Sequence, residues 1–286
     1  MKAPLAAAAA LVVALGSGPL AADPTPEQTE GWEAFPAELV DRPYIADPHQ
    51  PRFGVSLVSA REAEIDSTGD ERFGLWLGGR FGLLEFTPRR RPDSPWQLAI
   101  EAGFYGLFDI DSNQDNVGWD GIYGLVLTKR LGPRTAIKLA AKHLSSHVGD
   151  ELQERTGRQR INYTREELIL GASRRFGAAW RLYGEGAWGY ESRNPELQEP
   201  GRFQVGLEYR APRPSFWRAH WYMAVDATSF EESEWELDVT VQTGFEIPTD
   251  VRSWRFGLAY YDGRVPIGEF FQDRERYVVL GLWLDP

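Results

Sequence analysis

Glu234-Trp235-Glu236-Leu237-Asp238-Val239-Thr240-Val241-Gln242-Thr243-Gly244-Phe245-Glu246-Ile247 is the stretch whose reading decides the fold. Trp235, Leu237, Val239, Val241, Thr243, Phe245 and Ile247 share one parity, and Glu234, Glu236, Asp238, Thr240, Gln242, Gly244 and Glu246 the other. Successive side chains of an extended strand point to opposite faces, so this segment is apolar on one side and charged or polar on the other. Similar alternation recurs from Arg52 onward, near 52–62, 72–86, 95–109, 116–130, 133–147, 163–176, 178–191, 201–211, 218–230, 252–262 and 274–285. Strands of a β-sandwich run about 5–6 residues, whereas transmembrane β-strands need about 9–11 at their tilt. These segments run roughly 11–15 residues, and length therefore favours an all-β, transmembrane antiparallel β-barrel of about twelve strands over residues 52–286.

Aromatic placement supports the same reading. Trp96, Trp119, Trp180, Trp188, Tyr190, Trp235 and Trp254 fall near segment ends on the apolar parity, as the girdles at a membrane interface require. The opposite parity carries both signs, with Arg80, Arg181, Arg210 and Arg255 beside Glu101, Glu185, Glu208, Glu236 and Asp238. Charges that can pair across a lumen predict a narrow or plugged barrel rather than an open porin.

The N-terminus fits export to an outer membrane. Lys2, the apolar run Leu5 to Leu15 and the small residues up to Ala22 predict a signal peptide over residues 1–22. Residues 23–51 are proline-rich and aperiodic, and predict a short irregular periplasmic extension with a helix near Glu33 to Val40. Trp32 and Phe35 in that extension could plug the barrel or dock beneath it. There is no cysteine, which excludes a disulfide framework and a thiolate metal site. A net charge of −11 argues against nucleic acid as a partner. The expected location is the outer membrane of a Gram-negative bacterium, with membrane lipids, lipopolysaccharide and the barrel-assembly machinery as partners.

With both termini in the periplasm, the short joints Leu131-Gly132-Pro133, Phe176 to Ala179 and Pro248 to Val251 become periplasmic turns. The longest joints, Val148 to Asn162 and Gly263 to Asp273, then become extracellular loops. At the outer end of the fifth segment stands Lys142-His143-Leu144-Ser145-Ser146-His147-Val148-Gly149-Asp150-Glu151. Lys138 and Lys142 belong in the lumen, which turns His143, Ser145 and His147 towards lipid. Residues two apart on a strand lie about 6.5–7 Å apart, so the His143 imidazole can reach the Ser145 hydroxyl. Such a pair is the minimum for a base-activated nucleophile, and Asn162 or Glu166 on the next segment could orient the imidazole. Lipid esters lie at that depth, which suits an acyl hydrolase. The plainer, default reading is that these groups hydrogen-bond at the interface and order a long loop. Loop carboxylates Asp150, Glu151 and Glu154 are candidates for calcium, although a solvated acidic loop explains them as well; no other cofactor is indicated. His143 and His147 are about 13 Å apart in extended chain, too far to share a metal. Gly268-Glu269-Phe270-Phe271 reads as a loop folded inward over the barrel mouth, and Glu167 as a lumen carboxylate paired with lysine or arginine.

The arrangement His143-Leu144-Ser145 near a strand end resembles outer-membrane phospholipase A, a twelve-stranded barrel with a His-x-Ser pair and a downstream asparagine. It is similar, more loosely, to outer-membrane lipid A deacylases, which use His-x-Ser with a glutamate. Phospholipase A follows its serine with Asn-Gly, whereas Ser146-His147 stands here, and Asn162 lies further away than that family's asparagine. Over most of the chain the sequence resembles a Gram-negative outer-membrane barrel family described as a domain of unknown function. That resemblance rests on His143 to Glu151, Glu166 to Gly171 and Tyr260 to Phe271, and it implies a barrel without an activity. The readings that remain are a barrel of structural or transport-related role, a lipid acyl hydrolase built on Ser145 and His143, and adhesion through acidic loops.

Overall fold

The alternating segments close on themselves. In the computed structural model, which describes residues 31–61, 65, 68–250 and 252–285, twelve antiparallel strands form a closed barrel and one short strand lies outside it. The proposed signal peptide and residues 23–30 lie outside the described residues. The outside strand is β1 (Gly31–Ala34). The wall runs through β2 (Phe53–Ala60), β3 (Glu71–Thr87), β4 (Trp96–Asp109), β5 (Asp115–Arg130), β6 (Thr135–Val148) and β7 (Thr164–Phe176). It continues through β8 (Trp180–Ser192), β9 (Gly201–Arg210), β10 (His220–Phe230), β11 (Leu237–Pro248), β12 (Ser253–Arg264) and β13 (Arg274–Asp285). Each wall strand pairs with its sequence neighbour, and β13 pairs with β2 from Leu284↔Phe53 to Tyr277↔Ala60 to close the ring. Closure gives each wall strand a partner on both sides, as a sheet in hydrocarbon requires, apart from one stretch along β3.

Parity is as the sequence predicts. On β11, Asp238, Thr240, Gln242 and Glu246 are buried inside, while Leu237 and Val241 are exposed outside. Glu236 is a correction: it belongs to the turn before β11, where its side chain is 61% exposed, and not to the lumen. The preceding residues Glu234 and Trp235 have φ of 53° and 64°, which breaks the extended chain before it can carry Glu236 inward.

The N-terminal segment departs further from expectation. No helix forms over 33–40. β1 pairs with the end of β3, Gly31↔Thr87 to Ala34↔Leu84, then Phe35 adopts φ 54° and Pro36 turns the chain into the barrel. Proline has no N–H to give a helix, and the ladder with β3 already satisfies the residues before it. The entry point is a gap in the wall. The same edge of β3 is held by β2 at Glu71–Trp76 and by β1 from Leu84, and among the described residues no strand covers Leu77 to Gly82. A Cβ on Gly82 would come within 2.6 Å of Pro36, and one on Gly103 within 2.8 Å of Pro51, so these glycines admit the chain on its way in and out.

Residues 36–52 run through the lumen and fill it. Tyr44 stacks on Tyr183 of β8 with ring centroids 3.6 Å apart. The Ile45 amide donates to Glu208 at 2.8 Å, and Arg52 donates to the carbonyls of Ile45 and Asp47. Burial pushes the His49 imidazole down, and the His49 amide donates to Asp47 at 2.8 Å. Trp32 and Phe35, the residues expected to plug or dock beneath the barrel, are instead exposed on the outside, with Trp32 against Phe86 at 4.9 Å. Voids between plug and wall measure about 40, 70 and 20 Å³, room for a few waters.

Around the plug the inward charges pair. Arg202 meets Glu167 at 3.1 Å and Glu185 at 3.2 Å, Lys138 binds Glu185, and Arg165 joins Glu167 to Glu232. The loop after β12 does fold inward: Ile267 and Phe270 are fully buried in an apolar cluster with Trp76, Tyr105 and Leu152. Two outcomes follow. Arg202→Ala, which leaves two buried carboxylates short of a partner, should lower stability by about 3–5 kcal/mol in urea unfolding from vesicles. Removing residues 31–50 should produce conductance steps in planar bilayers where the intact chain is silent.

Candidate functional site

Across β5, β6, β7 and β8 the outward side chains fall into rows, because antiparallel register places residues directly opposite one another. One row is Leu125, Ala141, Leu168 and Trp188, part of the apolar band that also exposes Leu139 and Leu170. The next row towards the long loops is Tyr123, His143, Glu166 and Glu191. Beyond it come Gly121, Ser145 and Thr164, and then Trp119 with His147. Lys138, Lys142, Leu144 and Ser146 take the inward parity, so the assignment of His143 and Ser145 to the outer face holds.

The register brings the His143 Nδ1 atom into contact with the Glu166 carboxylate. An Nδ1 held by a carboxylate carries the proton, which leaves Nε2 as the basic nitrogen. Tyr123 lies flat against the other side of the ring, with centroids 4.5 Å apart and an interplanar angle of 27°. Between carboxylate and phenol the imidazole is fixed in orientation. Ser145 follows on the same face and opposes Gly121, where the lack of a side chain leaves the hydroxyl uncovered. Among the described residues no hydrogen bond joins His143 to Ser145. Hydroxyl and imidazole often tighten only when substrate is bound.

Of the two residues that could orient the imidazole, the structure brings Glu166 to it and sets Asn162 elsewhere in the same groove. Asn162 has φ 58° because its flanking amides are both taken by Glu269. Ile161 N donates to one oxygen at 2.7 Å and Tyr163 N to the other at 3.1 Å. Glu269 itself is fully buried on the inward-folded loop, where its amide donates to Ser146 Oγ at 2.8 Å. The inward loop thus fixes the backbone on both sides of the outward groove. Tyr163 points inside and donates to Glu232 at 2.9 Å, and burial pushes its phenol up.

The groove measures about 420 Å³ and is lined by His143, Ser145, Asn162, Thr164 and Glu166, with Arg160, Glu191 and Arg193 at its margins. Sequence reading missed Tyr123, Arg160 and Arg193, since each reaches the site from a neighbouring strand or a loop. Asp150, Glu151 and Glu154 do not converge on the site. They sit exposed on a short helix, α1 (Asp150–Thr156), where the first two favour the positive end of its dipole. Among the described residues no three histidines, cysteines, aspartates or glutamates are grouped to hold a metal ion.

In fold the chain is similar to outer membrane phospholipase A from Escherichia coli, with TM-score 0.57 and 11% identity over 86% of this chain and 98% of that one. The Salmonella typhi outer membrane phospholipase dimer with bound calcium gives 0.54 and 13% over 86% and 94%. An active-site asparagine-to-alanine mutant of the Escherichia coli protein gives 0.52 and 11% over 87% and 95%. At such identities the likeness is one of fold. No curated protein matches the chain in sequence. Residues 30–285 match the family described as a protein of unknown function (DUF1207), and the chain, an outer-membrane type β-barrel, belongs to that family.

Proposed function

We propose that the protein is an outer-membrane acyl hydrolase that cleaves ester bonds of lipids in the leaflet at its long-loop end. The observation that carries this reading is the Glu166–His143 contact on the outward face, one strand repeat from the uncovered Ser145. In the reaction His143 Nε2 takes the Ser145 proton as Oγ attacks the ester carbonyl, and the imidazolium then protonates the departing alcohol. Water, deprotonated by the same nitrogen, releases the fatty acid and restores the serine. Glu166 holds the tautomer and stabilises the imidazolium without touching substrate. The Asn162 amide is the donor at hand for the oxyanion. A transport role draws little support from a lumen occupied by residues 36–52.

Purified protein in detergent, given phospholipid or lipopolysaccharide with and without calcium, should release fatty acid. Ser145→Ala should reduce that release by about 10³-fold or more. Glu166→Gln should reduce it by about 10²–10⁴-fold and displace the acidic limb of the pH–rate profile. Equal release by wild type and Ser145→Ala would sink the proposal.

A further inference from the structure

We infer that the groove recognises a phosphorylated acyl lipid, with Arg160 and Arg193 as ligands of its phosphate; this rests on reading the groove as a lipid site. Arg160 donates from Nη2 to His147 Nδ1 at 2.7 Å. A nitrogen that accepts from a guanidinium carries no proton, so the His147 ring is neutral and its proton is on Nε2. That ring lies flat on Trp119, with centroids 4.0 Å apart and an angle of 18°, and Trp119 packs on Phe104. Arg160 is therefore braced by an uncharged support that leaves its positive charge available. Its neighbours in the same loop differ: Arg155 pairs with Asp115 and Arg158 with Asp273, each at 2.7 Å. Arg193 follows the end of β8, two residues beyond Glu191, and lines the groove from the other side. Among the described residues neither Arg160 nor Arg193 forms an ion pair.

The rows match a phosphorylated lipid layer by layer. Leu139, Leu168 and Leu170 expose apolar surface for acyl chains. His143 and Ser145 stand at the level of the ester. His147, which holds Arg160, lies one strand repeat beyond Ser145, about 6.5–7 Å further from the apolar band, and Arg193 lies one repeat beyond Glu191 of the His143 row. Glycerol and sugar backbones both carry phosphate and acyl ester at such a separation, and a guanidinium fork suits phosphate oxygens. Glu166 and Glu191 occupy the row below, where their charge excludes phosphate and so fixes which end of the lipid points outward.

The test uses full-length Ser145→Ala protein in non-ionic detergent, so that binding is read without turnover. Native mass spectrometry would measure retention of dipalmitoyl phosphatidylglycerol, of lipopolysaccharide, and of dipalmitoylglycerol, which has the same esters and no phosphate. A phosphorylated lipid should be retained about tenfold over dipalmitoylglycerol, and Arg160→Ala with Arg193→Ala should remove that preference. Arg160→Lys, which keeps the charge and loses the fork, should retain part of it. Preference for phosphatidylglycerol assigns a glycerolipid phosphate, and preference for lipopolysaccharide a glycolipid phosphate. Equal retention of dipalmitoylglycerol, or a preference unchanged by the double arginine variant, overturns the inference. Phosphate-dependent retention without fatty-acid release by wild type would instead overturn the hydrolase reading and leave the phosphate site standing.

Discussion

Arg202 lies between Glu167 on β7 and Glu185 on β8, nearly sealed from solvent, and the rest of the barrel depends on pairs of this kind. Alternation forces every second residue of twelve strands inward, and many of those residues are charged. A charge left alone in so dry a space would cost several kcal/mol. The structure answers with a continuous belt: Lys138 to Glu185, Glu185 to Arg202, Arg202 to Glu167, Glu167 to Arg165, Arg165 to Glu232, and Glu232 to Arg264. Each acid is shared between cations from different elements, so the belt fixes relative positions around half the ring. Apolar residues could stabilise as much, but they would not fix register in the same way.

The same economy of position governs the outward groove. Ser146 and Glu167 face in and Ser145 and Glu166 face out, so adjacent residues serve opposite sides of one wall. Glu269 links the two, being anchored inside while it sets the chain around Asn162 outside. A groove on a flexible loop would lose its shape with the loop. Here its outer margin is tied to a fully buried carboxylate.

Much of the wall was legible in the sequence because the period of a strand is local. Each of the twelve alternating segments became a wall strand, and the facing of His143, Ser145, Lys138 and Lys142 followed from parity alone. What parity cannot supply is the partner across a ladder. Glu166 and Asn162 were both within reach of His143 on sequence grounds, and the β6–β7 register, which sets Glu166 directly opposite His143, chose Glu166. Arg160 and Arg193 carry no periodic signal, since loop residues are placed by what their ends are tied to. The path of residues 36–52 was hidden for a related reason. A proline-rich aperiodic stretch looks the same whether it hangs in solvent or is packed within a wall, and the gap beside β3 that admits it is a property of the closed ring.

That path has a consequence for how the molecule is made. Residues 36–52 come before β2 in the chain, and β2 forms with β13 the seam that turns the sheet into a ring. The filling thus precedes the first staves of the vessel, while the last stave to arrive completes it. A ring closed early would leave Tyr44 and its neighbours stranded outside, with only a narrow gap beside β3 through which to enter. In an assembly that lays the leading segment along the inner face first, the pairing of β2 with β13 encloses it.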